Sequence, residues 1–186
     1  MSKQAMAPGS FGPVRQLGYV VEDLDAAVAA WTRQLGVGPW LFIRNIPLQC
    51  VYRGEPTQPL IDIALSYRDE VQIELIQQRN DAASPYRAAL DAGHAGLHHT
   101  AFLCERMEED LARAAASGLK IVCDIQMPSG RYVYLQSAEL GDQVYIELLE
   151  ANAQMLGMFA QGVEASRNWD GQQGPTVIDF AAMKQA

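Results

Sequence analysis

The sequence predicts an α+β fold of two tandem βαβββ modules, and three observations carry that reading. Runs with strand alternation and runs with helical spacing follow one another as β-α-β-β-β, and after a short linker the same order returns. Residues 16–24 (QLGYVVEDL) overlay residues 99–107 (HTAFLCERM) with small, apolar and acidic positions in matching places. Residues 71–76 (VQIELI) overlay residues 144–149 (VYIELL) with four of the six identical. The first pair of windows is offset by 83 residues and the second by 73, so the second unit has shorter loops.

The first strand spans residues 14–21. Asp23 then supplies a side-chain oxygen for the free N–H groups of a helix start, and Leu24, Val28, Trp31 and Leu35 recur at helical spacing until Gly36 closes the helix. Three strand-like runs follow: WLFIRNIP, PLIDIALSY and EVQIELIQ. RGEPTQP separates the first two, and RDE forms a tight hairpin between the last two. In ASPYRAALDAG, Ser84 caps a short connecting helix, Pro85 sits in its first turn and Gly93 at its end. The second unit opens with LHHTAFLC. A helix over residues 107–117 then carries Met107, Leu111 and Ala114 on one side, and LKIVCDI, RYVYLQSA and DQVYIELLE give three more strands.

These elements divide the chain into an N-terminal tail (1–13), a first module (14–80), a linker helix (81–96), a second module (97–150) and a C-terminal extension (151–186). In the extension NAQMLGMFAQG predicts a short helix. SRNWDGQQGPTV is turn-rich, with Trp169 as an anchor, and the whole is expected to strap over the sheet or over a partner subunit.

Of the 186 residues 49% are hydrophobic, enough for a sizeable core, and the formal net charge is −8. An acidic surface argues against nucleic acid and anionic membranes as partners, since phosphates are held mainly by Lys and Arg. Cys50, Cys104 and Cys123 are odd in number and lack CxxC spacing, so free thiols are expected rather than structural zinc or a disulfide framework. MSKQAMAPGS has no apolar core of signal-peptide length, and no run approaches the roughly 18 apolar residues of a membrane span. A cytoplasmic protein without a membrane partner is expected.

The repeat relates four polar residues. Gln16 and His99 open the first strands of the two units, and Glu74 and Glu147 sit mid-way along the last strands between apolar neighbours. A lone buried carboxylate is costly, and two at equivalent positions call for a common explanation; a shared cation supplies one. Strand parity places Gln16 with Gly18 and Val20, and Glu74 with Gln72 and Ile76, on the concave side of a curved sheet. By the same parity His98 is expected on the face opposite His99. His94 lies in a Gly-rich turn and is expected in solvent. Arg44, Arg53, Arg79 and Arg131 are read as surface charges, with a phosphate or carboxylate contact as the alternative. Tyr132, Tyr134 and Trp40 suit either a pocket wall or core packing.

The segments GYVVEDLDAAVAAWTRQLGVGPW and GLHHTAF, with the two IEL strands, resemble the vicinal oxygen chelate superfamily over roughly residues 14–150. Glyoxalase I, methylmalonyl-CoA epimerase, extradiol dioxygenases and bleomycin-resistance proteins belong to it. The resemblance implies a cupped, half-barrel mixed sheet with helices outside. It implies one divalent ion (Zn, Ni, Co, Mn or Mg) held by Gln16, Glu74, His99 and Glu147, with Glu147 as catalytic base and Glu74 as second proton-transfer group. The ligand order is similar to that of eukaryotic-type glyoxalase I, whereas GLHHTAF looks more like an epimerase. LIQQRN after Glu74 lacks the Asn-Trp-Gly that glyoxalase I places there for glutathione. The implied activity is metal-dependent proton transfer next to a carbonyl of a small-molecule substrate, by an isomerase, epimerase or lyase acting as a homodimer. Two alternatives stay open. One is a metal-free protein that sequesters small molecules, against which the two carboxylates argue. The other is an Fe(II) extradiol dioxygenase, in which Gln16 would stand where a first His belongs.

Overall fold

A computed structural model describes residues 11–141 and 144–183. Eleven strands and five helices follow in order: β1 (Gln16–Val20), α1 (Leu24–Leu35), β2 (Leu41–Pro47), β3 (Cys50–Tyr52), β4 (Glu55–Thr57), β5 (Leu60–Arg68), β6 (Val71–Gln78), α2 (Pro85–Asp91), β7 (Gly96–Cys104), α3 (Met107–Ala116), β8 (Lys120–Met127), β9 (Gly130–Gln136), β10 (Tyr145–Glu150), α4 (Ala153–Arg167), β11 (Thr176–Asp179) and α5 (Phe180–Met183). The strands form one curled, mixed, half-barrel sheet in the order β11-β2-β5-β6-β1-β7-β10-β9-β8-β3-β4. Most of the expected N-terminal tail, and Asp142 and Gln143 at the start of the last expected strand, lie outside the described residues.

The two βαβββ units meet at an antiparallel seam between their first strands, β1 and β7. Each seam strand is flanked in parallel by the last strand of its own unit, β6 on one side and β10 on the other. The four central strands are therefore the four that carry Gln16, Glu74, His99 and Glu147, all from one chain.

Local signals place the helices. Asp23 accepts a hydrogen bond from the Ala26 N–H at 2.9 Å, and Gly36 ends α1 with φ 62°. Ser84 accepts from the Arg87 N–H at 2.9 Å to cap α2. Helix α1 lies on the outer face of the sheet, where Leu24 and Val28 meet Phe42, Ala64, Ile73 and Leu75. Helix α3 does the same for the second unit, packing Leu111 and Ala114 against Val133, Leu135 and Leu148. Both match the expectation of helices outside. Helices α2 and α4 take the inner side: Tyr86 of α2 joins Val20, Ile63, Ile76, Tyr134 and Tyr145, while Met155, Phe159 and Val163 of α4 cover Tyr67, Ala101 and Leu149.

Two segments read as loops are strands. RGEPTQP holds the turn and second strand of the β3–β4 hairpin, and β3 pairs antiparallel with β8 at the far edge of the second unit. The turn-rich tail contributes β11, which pairs in parallel with β2. Trp169 does anchor the tail, its ring lying against Gly38, where an added Cβ would stand 2.5 Å from it. Helix α4 runs 15 residues, past the short helix expected, and its Asn152 cap accepts from the Met155 N–H. Among the described residues no helix is long and apolar enough to cross a membrane.

Candidate metal centre

Two rows of side chains cross the inner face. In one, cross-strand neighbours run Leu65, Glu74, Gly18, His99, Tyr145; in the next they run Tyr67, Gln72, Gln16, Ala101, Glu147, Tyr134. The smallest residues, Gly18 and Ala101, sit at the seam and are repeat counterparts. Their lack of bulk leaves the space into which the larger neighbours lean. His99 Nε2 lies 3.0 Å from Glu147 Oε2, 3.4 Å from Glu74 Oε2 and 3.1 Å from Gln16 Oε1. The side chains of Gln16, His99 and Glu147 are buried, and that of Glu74 is 13% exposed. All four sequence-derived candidates therefore meet at one point.

This geometry fits a divalent ion. One ligand atom each from Glu74, His99 and Glu147 lies within 4.8 Å of the others. Ligand atoms about 2.1 Å from a common ion and at right angles stand about 3.0 Å apart, close to the spacings seen around His99 Nε2. Glu147 Oε2 is buried and makes no full hydrogen bond, despite its closeness to His99. An orphaned buried carboxylate oxygen is expensive unless a cation or proton satisfies it. One imidazole and three oxygens suit Zn, Ni, Co, Mn or Mg.

The electrostatics follow from the burial. Burial alone would depress the His99 imidazole, but the charges of Glu147 and then Glu74 overrule it and push the group up to about 9. Burial raises the Glu74 carboxyl above its ordinary range, opposed by His99 and reinforced by Glu147. The phenols of Tyr86 and Tyr134 are pushed well up, first by burial and then by the Glu147 charge, so both keep their protons.

Sequence parity failed at His98. It also lies on the inner face, its Nδ1 only 3.1 Å from the Nδ1 of His99. A β-bulge is the cause: Gly18 pairs with His99 and Tyr19 with Leu97, so His98 is an extra residue opposite no partner, and alternation breaks there. Gln72 and Tyr67 were not singled out as site residues either. Gln16 donates through Nε2 to Gln72 Oε1 at 2.6 Å, Gln72 donates to Tyr67 Oη, and Tyr67 Oη approaches the Met158 carbonyl of α4 at 3.5 Å. Parity had put Gln72 on the right face; nothing local announced its partner.

Other expectations resolve plainly. Arg44 pairs with Asp25 and Asp62, and Arg131 with Asp124 and Glu108, which makes them structural charges of the surface. Arg79 stands 3.8 Å from Asp62, and the Arg53 guanidinium lies over the Tyr52 ring. Trp40 packs on the outer face under α1, while Tyr132 and Tyr134 face inward. All three cysteines are buried and free.

The family described as Glyoxalase/Bleomycin resistance protein/Dioxygenase superfamily matches residues 15–135. Among solved structures, the chain is similar to the hypothetical protein BH1468 from Bacillus halodurans C-125, with 18% identity over 75% of this chain and 94% of that one, at a TM-score of 0.55. The methylmalonyl-CoA epimerase of Mycobacterium tuberculosis matches with 19% identity over 77% of this chain and 91% of its own, at a TM-score of 0.54. A variant of the Streptomyces coelicolor methylmalonyl-CoA epimerase, in complex with 2-nitronate-propionyl-CoA, matches with 18% identity over 77% and 97%, at a TM-score of 0.50. These likenesses are likenesses of fold. No curated protein matches the chain.

Proposed function

Because the chain belongs to the Glyoxalase/Bleomycin resistance protein/Dioxygenase superfamily, we propose that it is a divalent-metal-dependent enzyme of glyoxalase or epimerase type. Its reaction is proton transfer next to a carbonyl in a small or thioester-linked substrate. The observation that carries this reading is the convergence of Gln16, Glu74 and Glu147 on His99 Nε2, with Glu147 Oε2 left without a hydrogen bond. These four side chains would hold the ion. When bound, it supplies a Lewis acid that polarises the substrate carbonyl and acidifies the adjacent C–H.

The chain's own groups then move the proton. Glu147 is the base: its carboxylate is buried on the floor of the cup, with Oε2 3.0 Å from His99 Nε2. Glu74 comes from the other module and holds a proton more readily than an ordinary carboxyl, which suits it to return one. Return on the opposite face makes an epimerase; return at a neighbouring atom makes an isomerase or a glyoxalase-type lyase. Gln72 orients Gln16, while Phe159 and Tyr67 on one side and Tyr86 on the other keep water from the reacting atoms. The division into two modules and an extension, and assembly as a homodimer, belong to the same proposal.

The test is metal analysis of untagged protein after exposure to excess divalent ion, paired with deuterium exchange into candidate carbonyl substrates. About one ion per chain is expected, with exchange abolished in Glu147→Gln. Wild-type protein that takes up no divalent ion sinks the reading.

A further inference from the structure

We propose that His98 is a positioning residue for the metal ligand: its Nδ1 accepts the Nδ1–H of His99, which fixes His99 with Nε2 facing Gln16, Glu74 and Glu147. The inference rests on the reading of this site as a metal centre, but the hydrogen bond has its own observable. The two Nδ1 atoms are 3.1 Å apart, so one of them carries the shared proton. The direction follows from the other end of His99. Its Nε2 faces Gln16 Oε1, Glu74 Oε2 and Glu147 Oε2, where a bound ion would take the Nε2 lone pair, so the proton of the neutral ring belongs on Nδ1. His99 therefore donates from Nδ1. His98 presents a bare Nδ1 and carries its own proton on Nε2, which is buried without a hydrogen-bond partner.

The surroundings hold this arrangement in place. The bulge in β7 turns both rings inward. Three phenol rings box in His98: Tyr145 at 4.9 Å, Tyr86 at 5.2 Å and Tyr134 at 5.7 Å between centroids. Two of these, Tyr86 and Tyr134, are tied to each other through their hydroxyls at 3.0 Å. Tyr86 belongs to α2, so the linker between the modules packs on the His98 ring at the seam. A ligand imidazole whose second nitrogen is bonded in this way is held in one orientation and is a better donor.

Nitrogen-15 NMR on the metal-free wild type reads the claim directly. The expected spectrum has His99 protonated at Nδ1, His98 protonated at Nε2 only, and a scalar coupling between the two Nδ1 atoms across the hydrogen bond. A proton on Nδ1 of His98 overturns the proposal. Two variants test the consequence. His98→Phe keeps a ring among the tyrosines but removes the acceptor, and its Zn affinity is expected to fall roughly 10- to 100-fold. His98→Asn places an amide oxygen near the lost Nδ1 and is expected to restore most of it. Zn affinity in His98→Phe equal to wild type also overturns the proposal. If His98→Phe does not fold, the wild-type spectrum and His98→Asn decide. Wild type that shows the hydrogen bond but binds no Zn sinks the metal reading rather than the tautomer.

Discussion

Gly18 lies directly beneath the imidazole of His99: a Cβ added at residue 18 would stand 1.9 Å from Cε1 and 2.1 Å from Nε2 of that ring. No side chain fits there while His99 keeps its place. The ring cannot simply swing aside, because His98, Tyr134 and Glu147 hold it on its other sides. Gly18→Ala is therefore expected to displace His99, cost about 1–3 kcal/mol through overpacking, and weaken Zn binding. A denaturant melt and a Zn titration check both parts; a variant with unchanged Zn affinity would show that the ring is free to move.

The metal-free protein should lose stability as pH rises toward 9. Folded, His99 holds its proton up to about pH 9; the ordinary imidazole releases it near 6.5. The contribution is complete below about pH 6.5 and drains away as pH climbs through the folded value. Urea midpoints of metal-free protein between these limits measure it. Glu147→Gln, which removes the largest upward influence on His99, should flatten the profile.

Zn binding should show the opposite slope. A ligand imidazole must shed its Nε2 proton, so binding releases one proton per ion and affinity rises about tenfold per pH unit across the same window. Calorimetry in buffers of different ionisation enthalpy counts that proton. A pH-independent affinity would mean that His99 is not a ligand.

Helix α4 should open when Gly162 is filled. An added Cβ there would stand 1.9 Å from Cε2 of Tyr67. In an exposed helix Gly→Ala gains about 1 kcal/mol of propensity, but overpacking against a buried ring costs about 1–3 kcal/mol, so the clash wins. Gly162→Ala is expected to speed amide exchange along residues 153–167 and in Tyr67, read by mass spectrometry. Phe159→Ala should do the same while costing about 3–5 kcal/mol, since Phe159 is fully enclosed and stacks edge-on against Tyr67.

The sequence carried much of this. The internal repeat put Gln16, Glu74, His99 and Glu147 in equivalent strand positions, and the sheet brings those strands side by side. What it hid depends on pairing rather than on local pattern. His98 looked outward because alternation assumes an unbroken ladder, and a bulge is set by the partner strand. The β3–β4 hairpin was hidden because its strands have three residues each, one contains Pro56, and β3 finds its partner in β8, 75 positions on from Cys50 to Ile125. Helix α4 has a visible cap and apolar residues, but only the folded cup shows that Met155, Phe159 and Val163 land on Tyr67, Ala101 and Leu149.

The hairpin makes the duplication inseparable. Only Leu48 and Gln49 stand between β2 and β3, yet β3 completes the edge of the other half. Each half-chain made alone would expose either an arm with no edge or an edge with no arm, and two such pieces would capture each other rather than fold apart. The two copies of the pattern are stitched into one cooperative unit, and the chain should melt in a single step.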